Sequence, residues 1–137
     1  MIEGARKNKF SVSRIPIEIA IEKKGIIKAQ LIRHLAPLTI SEILKNLPLK
    51  GNAYSHLNRF YYLPTNLELG AEKQKKVFNS GDISYLPSNG AICFFVAETE
   101  TSLMNYIGKI ISNMDILRKL ESTDILTVRE DSVLATD

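Results

Sequence analysis

The sequence predicts a mainly β domain, an antiparallel sheet closed as a barrel or sandwich with short helices over it. Three observations lead there. Ile15, Ile17, Ile19 and Ile21 alternate with other residues, which is the period of a half-buried strand. About seven or eight such short stretches follow one another, separated by Gly, Pro and Asn turn signals. Only two segments carry the helical period, and they stand far apart, as helices capping a sheet would.

The first strand lies in "RIPIEIAI". Lys23, Lys24 and Gly25 break it with a turn, and Ile26 to Ile32 returns as its hairpin partner. In "APLTISEILKNLPLKG", Thr39 and Glu42 have the spacing of a capping box. Ile40, Ile43, Leu44 and Leu47 then mark one helix face, so a helix is predicted from about Thr39 to Asn46 and ended by Pro48 and Gly51. "NRFYYLP" reads as a short aromatic strand. From Thr65 to Ser80, Leu67, Leu69, Val77 and Phe78 flank the charged "GAEKQKK", which predicts an exposed hairpin turn. "GDISYLP" and "AICFFV" are two strands around the Asn89-Gly90 turn. Glu98 and Glu100 fall in a solvated loop. "NYIGKII" is a strand with Tyr106 or Ile107 inward, and Gly108 marks a bulge or a close approach. "SNMDILRKLES" predicts a second helix with Asn113 as N-cap and Ile116, Leu117 and Leu120 buried. "DILTVRE" is the last strand.

Composition narrows the function. Hydrophobic residues make up 45% and charged residues 24%, within the globular range. No apolar run approaches the roughly 20 residues of a membrane span. The opening "MIEGARKNKF" lacks the apolar core of a secretory signal, so a cytoplasmic protein without a membrane partner is expected. A net charge of +3, with small basic clusters at Arg6, Lys7, Lys9 and at Lys73, Lys75, Lys76, argues against a nucleic-acid partner. Cys93 is the sole cysteine and reads as a buried, inert thiol. His34 and His56 lack zinc spacing, and no phosphate loop or nucleophile elbow is present, so neither a metal nor a cofactor is expected.

Three segments, taken in order, resemble the cyclophilin-like superfamily, and especially small prokaryotic cyclophilin-like proteins of uncharacterised function. "LAPLTISEIL" is similar to the family's Ala-Pro-x-Thr helix start. "GDISYLPSNGAICFFV" is similar to its Gly-x-x-Ser strand, Asn-Gly turn and Phe-Phe strand, and "YIGKIISNMDILRKL" to the strand that leads into its second helix. The resemblance spans Ile15 to Glu130. It implies a closed antiparallel barrel of about eight strands capped by two short α-helices, and with the polar start and the tail read as flexible termini at 1–9 and 132–137 the domain is expected to occupy residues 10–131.

Cyclophilins proper are peptidyl-prolyl isomerases with an apolar pocket beside an arginine. The resemblance carries Phe95 onto the pocket phenylalanine, Leu86 near an apolar wall position, and leaves Arg59 as the sole candidate for the catalytic arginine. Cys93 stands where they have a glutamine, "HLNRFYYLP" replaces their longer catalytic segment, and no tryptophan is present. The expected function is therefore a binding module without the full isomerase machinery. Its groove is expected to comprise His56, Phe60, Tyr62, Tyr85, Leu86 and Phe95, and its partner a peptide or protein segment or a small ligand. A weak isomerase using Arg59 is the alternative, and a structural domain that forms oligomers is a third.

Overall fold

Strands β1 (Arg14–Ile21) and β2 (Gly25–Ile32) form the expected hairpin, with Ile17 opposite Ala29 and Ile19 opposite Ile27. The structure is a computed structural model that describes residues 13–131. The termini expected to be flexible, 1–9 and 132–137, lie outside the described residues. After a 3₁₀ turn at Arg33–Leu35 come helix α1 (Pro37–Lys45), β3 (Leu49–Asn52), β4 (Tyr54–His56) and β5 (Phe60–Pro64). Then follow β6 (Gln74–Phe78), β7 (Asp82–Leu86), β8 (Ala91–Phe95), β9 (Thr99–Ser112), helix α2 (Met114–Arg118) and β10 (Ile125–Glu130).

All pairings are antiparallel, in the order β3-β10-β1-β2-β9-β7-β8-β5-β4, with β6 joined to β9. The described residues thus form ten strands rather than about eight. Hydrogen bonds do not close this sheet into the expected barrel, because its path ends at β3 on one side and at β4 on the other. The reason is a change of partner within one stretch of chain. Leu49–Asn52 pairs with β10, the chain passes the fully buried Ala53, and Tyr54–His56 pairs with β5.

Alternation along the strands divides the apolar side chains between two clusters. The larger one holds Ile17, Ile19, Ile27, Leu31, Leu63, Ile83, Ile92, Phe94 and Ile107, with Ile40 and Ile43 from α1 and Leu117 from α2. On the other face of β5, β7 and β8 lies a second cluster of Phe60, Phe78, Cys93, Phe95 and Met104. Burial of Phe78 holds β6 against β9, so Gln74, Lys75 and Lys76 belong to a strand and not to the expected exposed turn. Cys93 is buried, and burial pushes its thiol up to about 12 against a hydrogen bond from Ser84. The Asn89-Gly90 turn forms as expected, with Gly90 at φ +64°. Ile107 enters the large core while Tyr106 packs against the second cluster.

Helix α1 departs from the expected capping box. It starts at Pro37, a residue whose missing N–H costs nothing at a first helical position, and its N-cap Ala36 offers no side-chain acceptor. Thr39 and Glu42 do not cap each other, and Glu42 reaches Lys45 instead. The cap arrives from elsewhere in the chain. Leu38 N–H and Thr39 N–H donate to the Glu72 carboxylate at 3.0 and 2.8 Å, and the Thr39 hydroxyl donates to it at 2.7 Å. Buried Asn105 of β9 secures the arrangement. Its amide donates to Thr39 Oγ1 and to the Gly70 carbonyl, each at 3.0 Å, and its carbonyl accepts from Glu72 N–H at 2.9 Å. Burial raises the Glu72 carboxyl, and the hydrogen bonds from Leu38 and Thr39 outweigh it, leaving the group below its ordinary value. Asn113 stands at the N-cap of α2 as expected, but its side chain makes no capping hydrogen bond; the residue sits at φ +69° and donates to the Ile26 carbonyl.

Glu72→Ala is expected to cost about 2 kcal/mol, the worth of a lost cap plus charged hydrogen bonds. Because the folded carboxyl is depressed, its contribution is complete above the ordinary glutamate value of 4.5 and is lost as pH falls through the folded value. Urea midpoints measured across that range should therefore fall less steeply in Glu72→Gln than in the parent. Gly108 meets the Gln30 carbonyl so closely that an added Cβ would lie 2.0 Å from the oxygen, whereas Gly70 has open space around it. Gly108→Ala should destabilise by at least about 3 kcal/mol, and Gly70→Ala by less than about 0.5 kcal/mol, in the same denaturation assay.

Candidate functional site

Part of the second cluster forms the floor of a cavity of about 480 Å³. Alternation along β5 sends Phe60 and Tyr62 to this face while Tyr61 and Leu63 enter the large core. Met104 comes from β9, Ala91 from β8, and Leu86 from the end of β7. Around this apolar floor stands a polar rim of His56, Arg59, Asn89, Glu100, Thr101 and Ser102. The tight connection from β4 to β5 places Leu57 and Asn58 at positive φ, and exposed Leu57 completes the rim.

Beneath the floor the rings form a continuous ladder. The His56 ring stacks on Phe60 at 4.9 Å, Phe60 meets Phe95 at 4.9 Å, Phe95 stacks on Phe78 at 4.7 Å, and Phe78 meets Tyr106 edge-on at 5.9 Å. Such contacts hold ring positions more firmly than area burial alone. Lys75 Nζ lies 4.0 Å from the Tyr106 ring centroid and 5.0 Å from that of Phe78. The Tyr106 hydroxyl donates to buried Asp82 at 3.0 Å, and burial together with the Asp82 charge raises its pKa. Its phenol thus stays protonated and structural.

His56, Arg59, Phe60, Tyr62 and Leu86 converge on one cavity. Phe95 and Tyr85 do not line it. Phe95 has the expected parity, yet Phe60 and Phe78 cover it, so it supports the floor from below with no exposed surface. Tyr85 points the other way, into the large core, where its hydroxyl donates to the Leu67 carbonyl and accepts from Leu69 N–H. Arg59 Nη1 donates to the Glu98 carbonyl at 3.1 Å, which ties the two sides of the cavity together at one end. The wall formed by Thr99 to Met104 was not anticipated. The alternation of Thr99 and Thr101 was its available signal, but the intervening glutamates gave the segment the look of a solvated loop.

Elsewhere the charged groups serve the scaffold. Glu18 holds Lys28 at 2.6 Å and Arg129 at 2.9 Å, and these partners, Lys28 foremost, keep its carboxyl below the usual range. His34 lies in the 3₁₀ turn, and its carbonyl accepts from Lys73. Among the described residues no group of His, Cys, Asp and Glu is arranged to hold a metal, and no helix is long and apolar enough to cross a membrane.

Solved structures share this fold. The hypothetical protein AF2241 from Archaeoglobus fulgidus is 23% identical, with a TM-score of 0.72 over 87% of this chain and 96% of that one. McbB in complex with tryptophan is 17% identical, with a TM-score of 0.69 over 84% of this chain and 44% of McbB, so this chain spans less than half of that protein. At these identities the likeness is one of fold. No curated protein matches the chain by sequence. A family model described as cyclophilin-like matches residues 15–129, nearly the whole span from β1 to β10, and the chain therefore belongs to the cyclophilin-like family.

Proposed function

We propose that this protein is a binding module whose cavity takes a peptide segment or a small ligand without the full machinery of an isomerase. The observation that carries this reading is the apolar floor of Phe60, Tyr62, Leu86, Ala91 and Met104 beneath a polar rim. A cavity of about 480 Å³ with this division of chemistry suits a ligand that buries one apolar group and satisfies polar atoms at its edge. The floor is held in place by the ring ladder below it, so binding spends little on ordering the site. A cytoplasmic setting belongs to this reading, and the buried free thiol of Cys93 accords with it.

A second reading, peptidyl-prolyl isomerisation, is favoured by one observation: Arg59 lies on the same cavity as Phe60 and Met104. Isomerisation needs no nucleophile. Its barrier of about 18–20 kcal/mol comes from amide resonance, which an arginine weakens by donating to the prolyl nitrogen. Against it stands the engagement of Arg59 Nη1 with the Glu98 carbonyl.

Titration with a panel of X-Pro peptides and small aromatic amides should shift the amide signals of Phe60, Leu86 and Met104. Phe60→Ala should then weaken binding by about tenfold, the equivalent of about 1.4 kcal/mol. A panel that moves none of these signals refutes the binding reading. In an exchange-NMR assay on an X-Pro peptide, the protein is expected to leave the uncatalysed rate unchanged. Acceleration that falls by about a hundredfold in Arg59→Ala would establish the isomerase instead.

A further inference from the structure

Strand β9 is longer than its neighbours, and the excess has one bare edge. Asn105 is opposite Tyr85 of β7 and also opposite Gln74 of β6, so β6 and β7 lie on opposite edges of β9. From Asn105 back to Thr99, β6 continues along its own edge, reaching Thr99 with Phe78. On the other edge β7 stops, because its last residue paired with β9 is Tyr85 and the chain turns away after Leu86. Among the described residues no strand pairs with that edge between Thr99 and Met104. Five of these six residues supply the wall of the cavity, Thr99, Glu100, Thr101, Ser102 and Met104, which line it together with Phe60 and Tyr62. A regular strand presents its N–H and C=O groups alternately to its two edges; along this arm the register against β6 shifts between Lys75 and Val77, so three residues of β9 stand opposite Lys76 alone, and the bare side takes its donors and acceptors from either side of that irregularity.

We infer that the cavity binds an extended peptide segment by strand addition to the bare edge of β9. The backbone of the segment pairs with residues 99–104, and alternate side chains enter the floor of Phe60, Leu86 and Met104. This rests on the binding reading above and narrows its ligand to a peptide. Unpaired edges are ordinarily covered or charged to prevent indiscriminate pairing. Here the edge borders the cavity that Phe60 and Tyr62 also line, with the Arg59–Glu98 contact close by. A space of about 480 Å³ admits a single strand, whereas the sheet edge of a second copy would bring its own sheet with it. Arg59 and Glu100 carry opposite charges at the rim, which matches a neutral backbone with its own dipoles better than a polyanion or a polycation.

The test uses the full chain and a pool of capped hexapeptides with apolar residues at alternate positions. Two further pools carry backbone N-methyl groups on odd or on even residues, and N-acetyl-phenylalanine amide serves as the small-ligand probe. The parent pool should slow hydrogen exchange of the edge-facing amides within residues 99–104 and shift Phe60, Leu86 and Met104. One N-methyl pool should bind about tenfold more weakly than the other, since only one parity donates to the edge. Shifts at the floor with equal loss in both methylated pools, or with no slowed amide in 99–104, would overturn strand addition and leave the binding reading standing. Equal affinity for the phenylalanine amide would also overturn it, in favour of a small ligand. Failure of every probe to shift the floor would remove both.

Discussion

Alternation along β9 is the constraint on which the rest of the structure depends. One strand serves three neighbours, and its successive side chains must satisfy different surroundings. Ile107 fills the large core, Asn105 fastens the start of α1, and Met104 and Tyr106 build the second cluster. Period-two geometry allows this from Met104 to Ile107, register shifts adjust the pairing with each of the three neighbours, and Gly108 permits the close passage of Gln30 that brings β2 alongside. Had β9 ended where β7 ends, the second cluster would have lost Met104 and the cavity its wall.

The Asn105, Thr39 and Glu72 network shows how a remote part of the chain completes a helix. Four backbone N–H groups at a helix start lack internal partners, and the local residues here offer no acceptor. Glu72 supplies one with its charge placed toward the positive end of the helix. Buried Asn105 has its donors and its acceptor engaged, which is the condition under which a polar group in the interior is tolerated. Loop, helix and strand are thereby joined by hydrogen bonds, those to Glu72 charge-assisted, in addition to the apolar contact of Ile40 and Ile43 in the large core.

How far the sequence discloses this depends on whether an interaction is local. The alternation of Ile15 to Ile21 and the Asn89-Gly90 turn are local, and both strands and turn stand where the pattern puts them. The start of α1 is missed by two residues because its cap comes from Glu72, thirty-three positions away from Thr39. Likewise β6 hides within "GAEKQKK" because only pairing with β9 and the burial of Phe78 make it a strand. Parity correctly separates Phe94 from Phe95, but parity states the face and not the depth. Hence five of the expected site residues meet at the cavity, while Phe95 lies beneath it and Tyr85 behind it.

The passage through Ala53 has its own consequence. Leu49 is opposite Val128 at one end of the sheet and Tyr54 is opposite Tyr62 at the other, yet only a few residues of one chain separate them. Neither end can slip alone. A two-residue slide of Leu49–Asn52 along β10 would drag Tyr54–His56 along β5, shifting the pairing at both extremes together and displacing the buried Ala53 between them. The molecule behaves as a hoop fastened by its own thread, in which registers at the two most distant edges are a single degree of freedom.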